Sequence, residues 1–319
     1  MLKTKGKREK KILKMKKRKI KLGKDFDLKK YLSRKAELVN SALKKYLPKD
    51  NSVISRAMRY SMLAGGKRLR PVFVLLAGEI CGVENEKVLP AACAVEYLHT
   101  YSLVHDDLPS MDNDDLRRGK PTSHKKFGEA AAVLCGDALL TESFSLIAES
   151  AVPDKNIKEA VSVLSRYGGY RGMIAGQAED TLESGKWKGK SKDFLKRKLH
   201  FIHMRKTSAL IIASFKIGAV LAGADKKSLE AFEKYAGNIG LAFQITDDIL
   251  DVYADKKLLG KKGSDKDNDK LTYLSFYGRQ KAEKDAADCV YKAKRAAKIF
   301  GEKAGILNQI ADYMITRNY

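Results

Sequence analysis

Residues 95–112 read Val95-Glu96-Tyr97-Leu98-His99-Thr100-Tyr101-Ser102-Leu103-Val104-His105-Asp106-Asp107-Leu108-Pro109-Ser110-Met111-Asp112. Val95, Leu98, Ser102 and Asp106 recur at helical intervals, so one apolar stripe of a helix runs directly into a group of carboxylates. Pro109 has no amide hydrogen and disrupts the helix at that point. Asp106 and Asp112 are six residues apart, a separation that regular helix places on largely different faces. A bulge around Pro109 is expected to bring them back together.

The same periodicity extends outward. Leu195, Leu199 and Ile202 share a stripe, with Lys196, Lys198 and His203 on other faces. All six prolines lie at or before Pro153, which leaves the C-terminal half free of helix breakers. Turn signals are short (Leu63-Ala64-Gly65-Gly66, Glu183-Ser184-Gly185, Ala222-Gly223-Ala224-Asp225), and no alternating strand runs stand between hairpin turns. The expectation is an all-α single domain over residues 25–319, behind a separate N-terminal segment.

Composition narrows the class. Four cysteines, Cys81, Cys93, Cys135 and Cys289, are scattered with no CxxC pair, which argues against zinc and against a disulfide framework and suits a cytoplasmic setting. No run of eighteen apolar residues suggests a membrane span. The net charge is +24, and residues 1–24 carry thirteen Lys or Arg against the single acid Glu9. Half of the excess therefore sits in a tail that reads as solvated and disordered. It has neither the apolar segment of a secretory signal nor the serines of a transit peptide. Weak contact with a membrane surface is the most expected of it, and no nucleic-acid partner is expected. The remaining charge suits a polyanionic substrate.

A second acidic group, Gln244-Ile245-Thr246-Asp247-Asp248-Ile249-Leu250-Asp251, lies about 140 residues beyond the first. Asp247 and Asp251 stand at i and i+4 and rise on one helix face. Carboxylates clustered among apolar residues repel one another and resist desolvation, so each group calls for a cation. Hard oxygen donors with room for water suit Mg²⁺, which binds through one or two carboxylates together with substrate phosphates. The complementary half is basic. Gly65-Gly66-Lys67-Arg68-Leu69-Arg70 offers three cations beside glycines that admit a close backbone approach, and Arg117-Arg118 follows the first acidic group. Arg205-Lys206-Thr207, Lys261 and Lys270 come later. His200 and His203, at i and i+3 with no clear third ligand, read as packing or surface residues.

The ordered set of these motifs resembles the trans-polyprenyl diphosphate synthases, close to the bacterial and plastid farnesyl and geranylgeranyl diphosphate synthases. The resemblance runs from about Tyr31 to the C-terminus. It includes Gly66-Lys67-Arg68-Leu69-Arg70-Pro71, His99 through Asp107, Gly136-Asp137-Ala138-Leu139-Leu140, Gly172-Met173 with Gly176-Gln177, Lys206-Thr207, and Phe243-Gln244 with Asp247-Asp248-Ile249-Leu250-Asp251.

The resemblance implies a helical bundle of the isoprenoid synthase type around a deep central cavity, usually as a homodimer. It implies Mg²⁺, three ions with substrate bound, held by Asp106, Asp107 and Asp112 on one side and by Asp247, Asp248 and Asp251 on the other. Gly66, Lys67, Arg70, His99 and Arg118 are similar to an isopentenyl diphosphate site. Arg117, Lys206, Lys261 and Lys270 are similar to contacts with an allylic diphosphate, while Lys206, Thr207 and Gln244 offer oxygens to the developing carbocation. Tyr101 and Ser102, five and four residues before Asp106, are expected to point down the cavity, with the Tyr101 ring as its floor. Members with an aromatic residue at that fifth position tend toward the fifteen-carbon product, so farnesyl diphosphate is expected and geranylgeranyl diphosphate is the alternative. A terpene cyclase would need no second acidic motif of this form, and a silent regulatory subunit would be expected to have lost one.

Overall fold

The computed structural model describes residues 26–183, 185–187, 189–253 and 271–316. The basic tail and the positions of Lys261 and Lys270 lie outside the described residues. Helix follows helix: α1 (Leu28–Tyr46), α2 (Val53–Met62), α3 (Leu69–Cys81) and α4 (Asn85–Asp106). A two-residue antiparallel ribbon, β1 (Leu116–Arg117) with β2 (Lys120–Pro121), pairs Leu116 opposite Pro121. It is the whole of the strand content among the described residues. The chain continues through α5 (Ser123–Phe127), α6 (Glu129–Ala148), α7 (Asp154–Gly168), α8 (Met173–Leu182) and α9 (Lys192–Ile202). A π-helical segment (His203–Ser208) leads into α10 (Ala209–Leu221). Then come α11 (Lys226–Tyr253), α12 (Tyr273–Tyr277), α13 (Arg279–Ala297) and α14 (Ala304–Thr316). The architecture is the expected all-α domain.

Short polar residues cap the starts of several of these helices. The Asp27 carboxylate accepts from the Lys30 amide at 3.1 Å, and the Ser52 hydroxyl accepts from the Ser55 amide at 3.2 Å. Such caps satisfy amides that have no partner inside the helix. Packing supplies the rest. Every residue of α10 except Lys216 is buried, the mark of a helix at the centre of a core. On one side Ile217 of α10 joins Leu98, Leu139 and Leu164; on the other Phe215 stacks on Phe73 at 4.8 Å and meets Phe232 at 5.7 Å. Each such side chain taken fully from water contributes about 1.5–3 kcal/mol.

Helix α6 is long and apolar enough, by length and composition, to cross a membrane. It packs along α4 with one face and turns Val133 and Leu134 outward, at 41% and 55% exposure.

Candidate active site

At the end of α4 the chain does what Pro109 requires. The Leu108 amide still reaches the His105 carbonyl at 3.1 Å, but beyond Pro109 the backbone folds back. The Asp112 amide donates to the Asp106 carbonyl at 2.8 Å, and the Asn113 amide donates to the Leu108 carbonyl at 3.1 Å. Asn113 adopts φ +51°, in the left-handed region that asparagine tolerates better than most residues. The bulge thus returns Asp112 to Asp106, and both line a cleft of about 290 Å³. Asp247 and Asp251, one turn apart on α11, line the same cleft. So do Asp114, Asp180, Lys206 and Arg117.

Crowding shows in the electrostatics. Burial, with Asp112 adding to it, raises the Asp106 carboxyl to about 6 even though the Lys206 and Arg117 charges oppose the rise. A carboxyl held this way is short of positive charge. Among the described residues no three His, Cys or acidic side chains cluster tightly enough to hold an ion alone. Separate carboxylates on two helix ends suit Mg²⁺, which keeps its waters and shares its coordination with substrate phosphates.

Two residues expected among the ligands are placed differently. Asp107 is 3% exposed and turned away from the cleft, where it accepts from the Arg117 guanidinium, Nε at 2.8 Å. It holds Arg117 in position, together with Asp114 at 3.1 Å. Asp248 touches the cleft, but its oxygens accept from Gln244 Nε2 at 2.9 Å and from the Tyr273 amide at 2.6 Å.

The π-helical segment carries the groups suited to a cation. Its extra residue per turn widens the backbone around Lys206 and Thr207, and such bulges recur at functional sites. Glycines on the neighbouring helices make the room. A Cβ on Gly176 of α8 would stand 2.1 Å from the Lys206 amide nitrogen, and one on Gly240 of α11 would stand 2.7 Å from the Ser208 side chain. Lys206 Nζ donates to Asp180 at 2.6 Å, and the Thr207 hydroxyl donates to Gln244 Oε1 at 2.6 Å.

The basic half sits beyond Arg117. The Arg118 guanidinium donates to the Gly65 carbonyl and lies against Gly66, where an added Cβ would come within 2.9 Å of it. With φ +124° Gly66 also has a backbone that side chains disfavour. Arg70 Nη1 stands 3.4 Å from His99 Nε2. Burial and the nearby Arg70, Arg118, Arg117 and Arg68 charges hold His99 neutral, well below its usual range. Lys67 is exposed in the same loop. Arg68 is turned inward instead: 4% exposed, it pairs with Glu96 at 2.6 Å and donates to Asn40 at 2.9 Å and to the Met62 carbonyl at 2.7 Å.

Tyr101 and Ser102 are not on the wall of the 290 Å³ cleft. The Tyr101 ring is 6% exposed and meets His105 edge-on at 5.7 Å, and the Ser102 hydroxyl donates to the His99 carbonyl at 2.9 Å. The sequence reading missed Asp180 and Asp114 as members of the cleft, although both are acids near quoted motifs. His203, read as a packing or surface residue, does pack, and it also lines the cleft. His203 is 4% exposed on the cleft wall, stacked on Tyr273 at 6.1 Å.

Comparison with known proteins places this geometry. The family model for polyprenyl synthetase matches residues 51–312. The chain is 43% identical over 298 residues to a geranylgeranyl diphosphate synthase of Cyanophora paradoxa, covering 92% of this chain and 98% of that one. It is also 43% identical over 290 residues to a farnesyl diphosphate synthase of Escherichia coli, covering 88% and 95%. An FPP/GFPP synthase from Zymomonas mobilis, solved in its apo form, superposes with a TM-score of 0.79 at 35% identity, covering 91% of this chain and 99% of that one. Facing acidic helix ends and a π-helical wall are therefore found here in a chain that belongs to the polyprenyl synthetase family, a prenyltransferase.

Proposed function

We propose that this chain condenses isopentenyl diphosphate with dimethylallyl and geranyl diphosphate, head to tail and dependent on Mg²⁺, to give farnesyl diphosphate. The observation that carries the reading is the pairing of two sites across Arg117. Carboxylates with Lys206 lie on one side, and a nest of Arg70, His99 and Arg118 lies on the other. Two diphosphates bound there would bring an allylic carbon and an alkene together in one orientation.

Asp106, Asp112, Asp247 and Asp251 would hold Mg²⁺, with Asp114 and Asp180 beside them. Bound ions neutralise charge on a departing diphosphate, the usual service of such metals in phosphate chemistry. Lys206, steadied by Asp180, adds a fixed positive charge at the same place. The Thr207 hydroxyl and the carbonyl oxygens of Lys206 and Gln244 stabilise the allylic cation, and none is a strong nucleophile. Apolar walls such as Leu103 and Ile202 keep water off that cation. Lys67, Arg70 and Arg118 take the diphosphate of the acceptor, and neutral His99 orients Arg70. Lys261 and Lys270, outside the described residues, are assigned to the allylic diphosphate by the family resemblance alone. All four cysteines are free thiols, in keeping with a cytoplasmic setting.

Farnesyl rather than geranylgeranyl diphosphate rests on Tyr101, whose hydroxyl burial and the Asp106 charge keep protonated, pushed up to about 12. The ring belongs to the helix that ends at Asp106, five residues before that carboxylate, the position where the family resemblance puts the floor of the cavity. The alternative, geranylgeranyl diphosphate, is favoured by the packing of that ring against His105, away from the cleft wall.

The test is a product assay with Mg²⁺ and labelled isopentenyl diphosphate, primed separately with dimethylallyl, geranyl and farnesyl diphosphate. Farnesol after dephosphorylation is expected from the wild type, and longer alcohols from Tyr101→Ala. Identical product lengths in the two proteins would sink the floor argument. No elongation from any primer would sink the synthase reading.

A further inference from the structure

We propose that Asp248 is a positioning residue that sets the direction of a hydrogen-bond chain, so that Thr207 turns lone pairs and not its proton toward the cleft. The proposal rests on the prenyl-transfer reading above and adds a role that the acidic motif alone does not suggest.

The chain is short and every link is directional. Asp248, 3% exposed, accepts at Oδ1 from Gln244 Nε2 at 2.9 Å and at Oδ2 from the Tyr273 amide at 2.6 Å. Both carboxylate oxygens are taken by N–H donors, so toward these partners Asp248 only accepts. The –NH₂ end of Gln244 must therefore face Asp248, which leaves Oε1 to face Thr207. That oxygen also only accepts, so the Thr207 hydroxyl, 2.6 Å away, spends its one proton there. Lone pairs are what Thr207 has left for the cleft, which both Thr207 and Gln244 line. A lone pair directed at a developing cation stabilises it, whereas an O–H dipole turned the other way would oppose it.

Two further contacts tie the same carboxylate to the cleft wall. Tyr273 begins α12, directly after Leu271 and Thr272, which line the cleft. Its phenol donates to Asp285 at 2.5 Å, and its ring stacks on His203, whose Nε2 lies 3.5 Å from Asp248 Oδ2. Asp248 thus joins α11, the π-helical segment and α12 at one point.

Asp248→Asn breaks the logic without changing size. A carboxamide has one accepting oxygen and one donating end, so it cannot accept from both Gln244 and the Tyr273 amide. Where its –NH₂ faces Gln244, Gln244 must turn its oxygen round. Its own –NH₂ then meets Thr207, and the Thr207 proton is driven toward the cleft.

The experiment compares full-length wild type, Asp248→Asn, Asp247→Asn and Gln244→Met. Calorimetry reads binding of inorganic diphosphate with and without Mg²⁺. Turnover of geranyl with isopentenyl diphosphate reads kcat, KM and the fraction of geranyl groups lost to water as alcohol. Asp248→Asn is expected to keep Mg²⁺-dependent diphosphate binding within about threefold of wild type, while Asp247→Asn loses tenfold or more, roughly the scale of one lost charged ligand. Asp248→Asn and Gln244→Met should share a lower kcat, a nearly unchanged KM and a raised alcohol fraction, the pattern of a contact that matters only in the transition state. Placed on a Thr207→Val background, Asp248→Asn should raise the alcohol fraction no further.

Diphosphate binding lost in Asp248→Asn as in Asp247→Asn would make Asp248 a ligand and overturn the proposal. So would an unchanged alcohol fraction in Gln244→Met, which keeps both Asp247 and Asp248 in place, or independent effects in the double variant. A wild type that elongates nothing overturns the prenyl-transfer reading, and this role with it.

Discussion

Asp106 carries a cost that its function explains. Its carboxyl titrates at about 6 against an ordinary 3.8, because burial disfavours its charge and Asp112 repels it. The sign follows from proton binding. The folded state holds this proton more tightly than the unfolded chain, so between pH about 4 and 6 stability falls as pH rises, and above 6 the penalty is complete. Asp106→Asn removes the charge at constant shape. At pH 7 it should stabilise the ligand-free protein by about 1–3 kcal/mol, on the scale of two pKa units. Turnover should collapse by orders of magnitude, and near pH 4 the two proteins should melt alike. Thermal melts at both pH values check this, and an unchanged or lower Tm for Asp106→Asn at pH 7 would refute it. Arg68 behaves oppositely. In sequence it stands in a phosphate-binding run, but in the structure it is a core residue paired with Glu96. Breaking a buried pair leaves the partner charge stranded, so Arg68→Ala should cost about 3–5 kcal/mol, whereas exposed Lys67→Ala should leave the melt unmoved. Equal melts for the two variants in denaturant titration would contradict the assignment.

At the scale of elements, what a sequence can show depends on period. Helix α4, its break at Pro109 and the return of Asp112 were legible, because an apolar stripe and a missing amide hydrogen act locally. The i, i+4 pair on α11 was legible for the same reason. The π-helical segment was not: a run of six residues with a wider turn leaves no signature in a 3.6-residue pattern, and its cause lies on other helices. Gly176 stands in a quoted motif and Gly240 in none, but neither shows in sequence that a Cβ there would meet the backbone of Lys206 or the side chain of Ser208. Asp107 and Asp248 were grouped with their neighbours because sequence gives spacing and not direction. Which acid faces a cleft and which faces Arg117 or Gln244 is settled by tertiary partners. One prediction belongs here. Gly176→Ala puts a methyl group 2.1 Å from a backbone nitrogen that cannot yield cheaply, so it should displace the segment bearing Lys206 and Thr207. Activity is expected to fall at least about a hundredfold, given how steeply oriented reactions depend on placement. Alanine at the exposed neighbour Ile174 supplies the control. Wild-type kcat in Gly176→Ala would mean that the π-helical geometry is dispensable.

For the whole molecule, the outer face of α6 is the feature that the single chain leaves unexplained. A surface helix ordinarily turns charged residues outward. Here Val133 and Leu134 are exposed side by side, with Ala130 and Ala148, beside the exposed acids Glu129, Asp137 and Glu142 of the same helix. The helix lies against α4, so whatever covers it also supports the helix that ends at Asp106. The homodimer that the family resemblance implies would cover this face with a second copy of the chain. An isologous contact would set the two α6 helices against each other and bury the same patch twice. Leu134→Glu places two carboxylates at the centre of such a contact, and desolvating them unpaired costs several kcal/mol. Sedimentation at micromolar concentration should therefore show a dimer for the wild type and a monomer for Leu134→Glu. The monomer should melt earlier, because α4 loses its outer support, and KM should change less than kcat, because the diphosphate sites are built within one chain. A monomeric wild type, or a Leu134→Glu protein that remains dimeric, would move the interface off α6 and leave its apolar face to another partner.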